Sequence, residues 1–201
     1  MSISKLRRGR AGKANKDLDA GLYVLPATVS RAALLDNGSD GRFRTLVGNL
    51  LTISTRMEIV REHLGRRMGI SPPQYSLMIA VAHLQGHNGI SVSALAQALH
   101  VSSAFVASET GKLARRSLLF KRTNPLDRRG MLLSVAPAGR LAIDRISAEI
   151  RAVNDLFFGA LDSASFASLS AAANALIESS SKAVRYINSV KGTPQPLRRT
   201  G

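Results

Sequence analysis

Apolar residues recur at alternating spacings of four and three between Phe43 and Met68. This spacing places them on one side of a helix that packs against other helices. A similar spacing runs from Ala138 to about Leu161 and again from about Ser165 to Val190. The pattern therefore predicts three long helices, one before and two after the central part of the chain. The apolar positions of the first helix are Leu46, Leu50, Ile53, Met57, Val60, Leu64 and Met68.

Three shorter helices are predicted in the central part. The first runs from Gln74 to about Gln85, after Ser71 and two prolines. The second spans Ser91 to Leu99, where a serine can cap the free N–H groups of the helix start. His100-Val101 breaks the period, and Ser102 is expected to cap the third helix. The inward residues are predicted to be Tyr75, Met78, Ile79 and Ala82 in the first helix, and Val101, Val106, Thr110 and Leu113 at the third.

The other face of the third helix carries the small or polar residues Ser103, Ser108, Gly111 and Lys112. The major groove of DNA admits a helix of this kind, because small side chains allow close approach to phosphates and base edges. An ordinary surface helix has the same periodicity. The spacing alone therefore leaves both interpretations open.

A β-hairpin is predicted directly after this helix. Residues 118–122 and 131–135 are short apolar runs of strand length, and the loop 123–130 contains Asn-Pro and ends in Gly. Arg128 and Arg129 at the tip can reach a narrow minor groove, where the negative potential is enhanced. Asp127 is expected to brace the loop by pairing with Arg129 or a neighbouring cation. A solvated charged turn is the alternative.

Taken together, LAQALHVSS at 95–103 and KLARRSLLFKRTNPLDRRGMLLSVAPAG at 112–139 resemble the MarR family of winged helix-turn-helix regulators. The matching features are the Leu-x-Val-Ser turn at 99–102, Arg115-Arg116 before Leu118, the Asp-Arg-Arg wing at 127–129, and Gly139. The resemblance covers about residues 43–190. It implies a mainly α fold with a small β-hairpin wing, in which a winged helix-turn-helix is joined to a helical dimerisation domain.

Four positions depart from the family pattern. Ser117 stands where Gly is usual, so the turn there must tolerate a side chain, and Ala136 replaces a Thr that would cap the next helix. Pro137 at the first helical turn partly compensates for that lost cap. Phe105 could contact a thymine methyl, while Glu109 could accept from a cytosine amine or repel phosphate. The preferred operator is therefore expected to differ from those of familiar relatives.

The charge balance points to a polyanionic partner. The chain has 28 Lys and Arg against 13 Asp and Glu, a net charge of +15. Such a balance fits DNA, RNA or an anionic membrane surface. Aromatic residues are only 4% and Trp is absent, which favours double-stranded DNA over unpaired RNA bases. Since no Cys, membrane span or signal peptide is found, we expect a cytoplasmic protein without disulfides or thiol sensing.

Four regions are predicted. Residues 1–41 form a basic, flexible N-terminal arm that adds sequence-independent phosphate contacts, residues 42–70 and 138–190 form the dimerisation domain, residues 71–137 bind DNA, and 191–201 are a flexible basic tail. Unpaired apolar seams on the long helices predict a homodimer, whose two-fold symmetry suits a palindromic operator. An intramolecular three-helix bundle in a monomer is the alternative.

Catalytic and metal chemistry are poorly represented. No nucleophile–base pair, carboxylate pair or phosphate loop stands out, so we expect neither an enzyme nor a cofactor. His83 and His87 have a metal-compatible spacing, but Gly86 should end the helix between them, and no metal site is predicted. The family resemblance implies a pocket for a small aromatic or phenolic effector, whose candidate lining residues are Met57, Arg61, Tyr75, Met78, Ile79 and His83. Plain core packing or a solvated helix face would explain each of these residues singly.

The expected function is therefore that of a ligand-responsive repressor that binds a palindromic operator as a homodimer. The predicted DNA contacts are Ser102, Ser103, Phe105, Ser108, Lys112, Arg128 and Arg129. Two alternatives remain: a basic nucleic-acid-binding or chromosome-packaging protein without sequence preference, and a metal-responsive regulator.

Overall fold

A computed structural model describes Tyr23, residues 25–125, Asp127 and residues 130–190. A short 3-10 helix at Ala32–Leu34 precedes six α-helices and three strands in this part of the chain. In chain order they are α1 (Gly41–Arg67), α2 (Pro72–Leu84), β1 (Ile90–Ser91), α3 (Val92–Ala98), α4 (Ser103–Arg115), β2 (Leu119–Thr123), β3 (Met131–Val135), α5 (Pro137–Phe158) and α6 (Ser163–Val190). The chain divides into two compact units, one up to Ile59 and one from Val60 onward.

In the first unit, the carboxylate of Asp40 at the start of α1 connects this helix to the segment before it. Its Oδ2 accepts hydrogen bonds from the backbone N–H and the hydroxyl of Thr28, each at 2.7 Å, and Arg44 pairs with its other oxygen. These two bonds from Thr28, reinforced by the Arg44 charge, lower the pKa of Asp40 against the opposing effect of burial. Residues 28–40, which the sequence assigned to a flexible arm, are thus tied back to α1. Residues 1–22 and 191–201 lie outside the described residues.

The second unit has its hydrophobic core between α2, α3, α4 and a three-stranded antiparallel sheet. The sheet order is β1-β3-β2, with Leu133 of β3 opposite both Ile90 and Lys121. The predicted hairpin is β2–β3, but β1 is an additional strand that the sequence analysis missed. Fully buried core side chains are Leu64, Leu77, Met78, Val81, Leu95, Val106, Leu113, Leu119, Leu133 and Val135.

The long helices bury only part of their apolar residues. In α1, Leu64 is buried and Val60 and Met68 pack against the core, whereas Leu46 is 50% exposed. In α5, Ile146 is buried and its neighbours Ile143 and Ile150 pack partly on the core. Helix α6 has no buried residue over its 28 positions. No single helix in the described residues is long and apolar enough to cross a membrane; α5 and α6, bent by 91°, pass that test only as a pair.

Two inward-facing assignments need correction. On α2, Leu77 and Val81 are buried along with Tyr75 and Met78, while Ile79 and Ala82 are only partly buried. Almost the whole α2 surface is covered because it packs against α4, α3 and β3 at once. Val101 is 39% exposed, since it follows the end of α3 and precedes the first turn of α4. The prediction that Val101 shares the buried face of α4 is therefore wrong.

Three helices end in the same hydrogen-bonded turn. After α4, the N–H of Ser117 donates to Ala114 O and the N–H of Leu118 donates to Leu113 O, the two bonds of a Schellman motif. This turn needs a left-handed residue, and Ser117 has φ +58°. The equivalent residues after α1 and α3 are Gly69 and His100, at φ +67° and +54°. Ser117, expected to sit in a turn suited to Gly, therefore adopts a conformation that costs roughly 1 kcal/mol for a residue with a Cβ.

Gly139 allows the start of α5 to approach the sheet. A Cβ at this position would lie 2.2 Å from the carbonyl oxygen of Leu118 and 3.0 Å from both Met78 Cε and Val135 Cγ1. The N-cap residue of α5, Ala136, makes no side-chain capping bond, as its missing hydroxyl predicted. Its backbone N–H instead donates to Leu118 O at 3.1 Å. The junction between wing and α5 therefore depends on the absence of a side chain at 139.

Candidate nucleic-acid interface

Helix α4 is capped at its first turn and anchored along one face. The Ser102 hydroxyl accepts the N–H of Phe105 at 3.2 Å, which satisfies one of the free donors of the helix start. Val106, Thr110 and Leu113 are buried, and the Thr110 hydroxyl donates to Val106 O at 2.6 Å. Helix α3 is capped in the same way, by Ser91 on Ala94 N–H at 3.1 Å. Both predicted caps are confirmed, so the outward face of α4 is presented on a rigid support.

The outward face of α4 carries the side chains predicted to contact bases. Ser102, Ser103, Phe105, Ser108 and Lys112 are all exposed, with Phe105 at 39% of its surface. Phe105, Ser108 and Lys112 follow one another at three- and four-residue spacing, so they form one stripe along the helix. All five predicted side chains are thus exposed, and three of them share one stripe of the helix.

Glu109 lies beside that stripe and is bonded to one of its members. Its Oε2 accepts a hydrogen bond from Gln74 Nε2 on α2 at 3.0 Å, and its Oε1 lies 2.5 Å from the Lys112 ammonium. Only 13% of the Glu109 side chain is exposed. The hydrogen bond from Lys112, and to a lesser degree that from Gln74, lowers the Glu109 pKa against the opposing effect of burial. Its carboxylate is therefore engaged within the protein and not displayed to a base.

The hairpin that forms the wing is closed below its tip. Asn124 N–H donates to Gly130 O at 2.9 Å, and Gly130 N–H donates to Asp127 O at 2.8 Å. Arg128 and Arg129 lie outside the described residues, so their predicted place at the tip stays a prediction. The same holds for the pairing of Asp127 with Arg129.

Two cations near this surface have roles that the sequence analysis did not assign. Arg122 on β2 donates to Asn88 O at 2.7 Å and thereby ties the wing to the loop before β1. Arg116, at the end of α4, donates to Gly69 O at 2.5 Å. Each contact joins residues more than thirty positions apart, and no local pattern in the sequence signals such a pair.

The residues suggested for an effector pocket have different surroundings. Tyr75 and Met78 are core residues, 7% and 0% exposed, and burial raises the pKa of the Tyr75 phenol. Ile79 and Arg61 are partly buried, whereas His83 is exposed on the last turn of α2. Met57 belongs to the first unit, where it is 43% exposed. Core packing therefore accounts for Tyr75 and Met78, and the pocket itself stays a prediction.

The histidine pair does not form a helical metal site. Helix α2 ends at Leu84, and Gly86 has φ +50°, so His87 lies beyond the helix that carries His83. Among the described residues, no group of three His, Asp or Glu side chains is arranged to hold a metal ion.

Two helices joined by a tight turn, followed by an antiparallel hairpin and preceded by a third helix, define a winged helix-turn-helix protein. Residues 68–130 match the MarR family. A Thauera aromatica protein described as a transcriptional regulatory protein for the hcr operon is 32% identical over 78 residues, which cover 39% of this chain. The match spans 45%, about half, of that relative's own length.

Solved structures extend the likeness beyond the matched segment. The S. aureus MepR–DNA complex has a TM-score of 0.57 at 14% identity, covering 66% of this chain and 96% of that one. PcaV from Streptomyces coelicolor, solved with its natural ligand, has a TM-score of 0.50 at 22% identity, covering 63% and 90%. The match over residues 68–130 agrees with the predicted resemblance to the MarR family, and the likeness to these solved structures confirms the winged-helix fold.

Proposed function

We propose that the protein regulates transcription in the cytoplasm by binding a palindromic DNA operator as a homodimer. The observation that carries this proposal is the exposed stripe of Phe105, Ser108 and Lys112 on a helix whose opposite face is buried. Ser102 and Ser103 extend the stripe at the helix start, where backbone N–H groups favour phosphate. Five such side chains enter one major groove, and Arg128 and Arg129 reach the flanking minor groove.

Exposed apolar surface supports the homodimer. On α6, Phe166 is 61%, Leu176 53% and Ile187 53% exposed, and on α1 Leu50 and Ile53 are above 40%. Apolar faces on this scale are characteristic of association surfaces. A second copy of the chain would cover them symmetrically and place two α4 helices one duplex turn apart.

Light scattering tests the dimer directly. Wild-type protein should have twice the chain mass, and Leu176→Glu on α6 should shift it toward the monomer by burying a charge in the interface. Leu84→Glu is the control, since Leu84 is 40% exposed at the end of α2. A monomeric wild type would remove this part of the proposal.

The protein is further proposed to act as a repressor that a small-molecule effector controls. The dimer would block a promoter by occupying it, and a small aromatic or phenolic ligand would release it by favouring a different spacing of the two wings. The crystal structure of PcaV contains its natural ligand, which supports the proposal that this chain also binds an effector. Arg61, which is partly buried, is the group proposed to hold its acidic end. Titration of bound operator with aromatic acids tests this, and release by none of them would contradict it.

Selection of bound duplexes from a random DNA library at physiological salt tests the main proposal. A palindrome with half-sites about 10 bp apart is expected. Enrichment without a motif would instead favour a packaging protein, which the net charge of +15 alone could serve.

Substitutions then separate backbone contacts from base contacts. Arg129→Ala should weaken binding to all sequences. It should also reduce the slope of log K against log salt by about 1. Arg151→Ala on α5 removes the same charge away from the stripe and serves as its control. Phe105→Ala should change which operator is preferred. Wild-type affinity in Arg129→Ala would show that the wing is wrongly assigned.

A further inference from the structure

A chain of polar contacts links the start of α2 to the exposed stripe on α4. The Ser71 hydroxyl caps α2 by accepting the N–H of Gln74 at 3.4 Å, and the Ser71 N–H donates back to Gln74 Oε1 at 3.3 Å. Gln74 Nε2 then donates to Glu109, which also holds the Lys112 ammonium. The contacts therefore run from a helix cap to a cation on the proposed DNA-binding face.

The capping box sets the orientation of the Gln74 amide. Its oxygen is taken by the Ser71 N–H, so its NH₂ group must point toward α4. Gln74 is 9% exposed, and a buried NH₂ donor needs an acceptor. Glu109 supplies one carboxylate oxygen to Gln74 and keeps the other for Lys112. The position of the Glu109 carboxylate is thus determined by the fold and not by the flexible lysine.

A lysine held in this way differs from a free one. Its four-carbon stem normally lets the ammonium reach whichever phosphate is nearest. The Lys112 side chain is 48% exposed, but its ammonium is bonded to the Glu109 carboxylate. The Glu109 side chain is only 13% exposed, and Gln74 on α2 holds its other oxygen. Nonspecific contact with a phosphate must therefore break an existing ion pair.

We propose that Glu109 is a positioning residue that restrains Lys112, lowers the affinity for nonspecific duplex DNA and thereby raises the preference for the operator. This inference rests on the proposed DNA-binding function. It assigns Glu109 neither to base reading nor to simple phosphate repulsion, because its carboxylate acts through the lysine it holds.

Glu109→Gln tests the proposal with little change to the fold. The new amide oxygen can still accept from Gln74 Nε2, but the ion pair with Lys112 is lost. Once free, Lys112 can contact a DNA phosphate, and binding should then release about one more counterion from the DNA. Nonspecific affinity near 0.1 M salt should therefore rise by up to about eightfold. The slope of log K against log salt should steepen by about 0.9, and the ratio of operator to nonspecific affinity should fall.

Two further variants isolate the cause. Adding Glu109→Gln to Lys112→Met should leave both affinity and salt slope as they are in Lys112→Met alone, because the restrained cation is gone. Glu62→Gln controls for net charge, since it frees Arg66 from a similar exposed ion pair at 2.7 Å on α1. It should leave the slope close to that of the wild type.

The outcomes separate this inference from the proposed function. Selection of no motif by the wild type would contradict sequence-specific regulation, while the nonspecific salt slope would still report on Lys112. Unchanged affinity and slope in Glu109→Gln would overturn the restraint. Weaker binding to every duplex would overturn it as well, because Glu109 would then support the helix and not restrain the cation.

Discussion

Replacing Gly139 by Ala should destabilise the second unit strongly. The added Cβ would lie 2.2 Å from Leu118 O, about 1 Å inside normal contact, and the obstructing atom is backbone. Met78 and Val135, its other neighbours at 3.0 Å, are 0% and 2% exposed and have little room to move. A core forced to accept an extra methyl group loses about 1–3 kcal/mol, and this site should fall at the upper end.

Two smaller effects nearly cancel. Moving the Leu118 carbonyl weakens its hydrogen bond from Ala136 N–H, which is worth about 1 kcal/mol. Ala is favoured over Gly inside a helix by about 1 kcal/mol. The net loss should therefore be about 3 kcal/mol, which for a domain of this size lowers the Tm by roughly 10 °C.

Urea denaturation followed by circular dichroism measures this loss. Wild type and variant must be compared at equal protomer concentration, since association would stabilise both. Gly111→Ala is the matched control, because a Cβ there would meet only Arg115 Nη1, at 3.8 Å. It should leave stability unchanged or raise it by up to about 1 kcal/mol. If Gly139→Ala were as stable as Gly111→Ala, the close approach of α5 to Leu118 would be refuted.

Three further predictions concern helix ends and one ion pair. Ser117→Gly should raise the free energy of unfolding by about 1 kcal/mol by relieving the left-handed strain, whereas Ser108→Gly, inside α4, should lower it by about 0.5 kcal/mol. Ser71→Ala should cost about 1 kcal/mol by removing the cap of α2; no loss in urea titration would contradict its role. Hydrogen bonds from His63, and then from Arg67, lower the Glu149 pKa. This stabilisation is therefore complete above the ordinary pKa of an unfolded Glu and is lost as pH falls through the lowered folded value. Wild type should therefore be more stable than Glu149→Gln at neutral pH and converge with it in acid; a difference that stays constant as the pH falls would refute the assignment.

Local signals in the sequence predicted most of the fold. Ser91 and Ser102 each precede a helix and act as caps, because capping needs only residues within one turn. Periodicity located the long helices, although α5 ends at Phe158, three residues before the predicted boundary, and α6 begins at Ser163. Helix bounds of this kind depend on caps and packing more than on periodicity.

Contacts between distant positions could not be predicted in this way. Strand β1 is only two residues long and exists because Ile90 and Ser91 pair with β3, some forty positions away. The bond between Gln74 and Glu109 spans 35 positions. Glu109 was accordingly interpreted by its helix face alone, as a base or phosphate contact. Its partner on α2 becomes visible only when the two helices are packed together.

The order of elements along the chain has a consequence for synthesis. The buried core of the second unit draws on residues between Leu64 and Ile146, all of which precede α6. The core can therefore close while α6 is still inside the ribosome. The helix with the most exposed apolar surface emerges after the part that it would otherwise disturb. This order shortens the time for which the exposed apolar surface of α6 coexists with an unfolded core, and favours pairing through α6 between chains that have already folded.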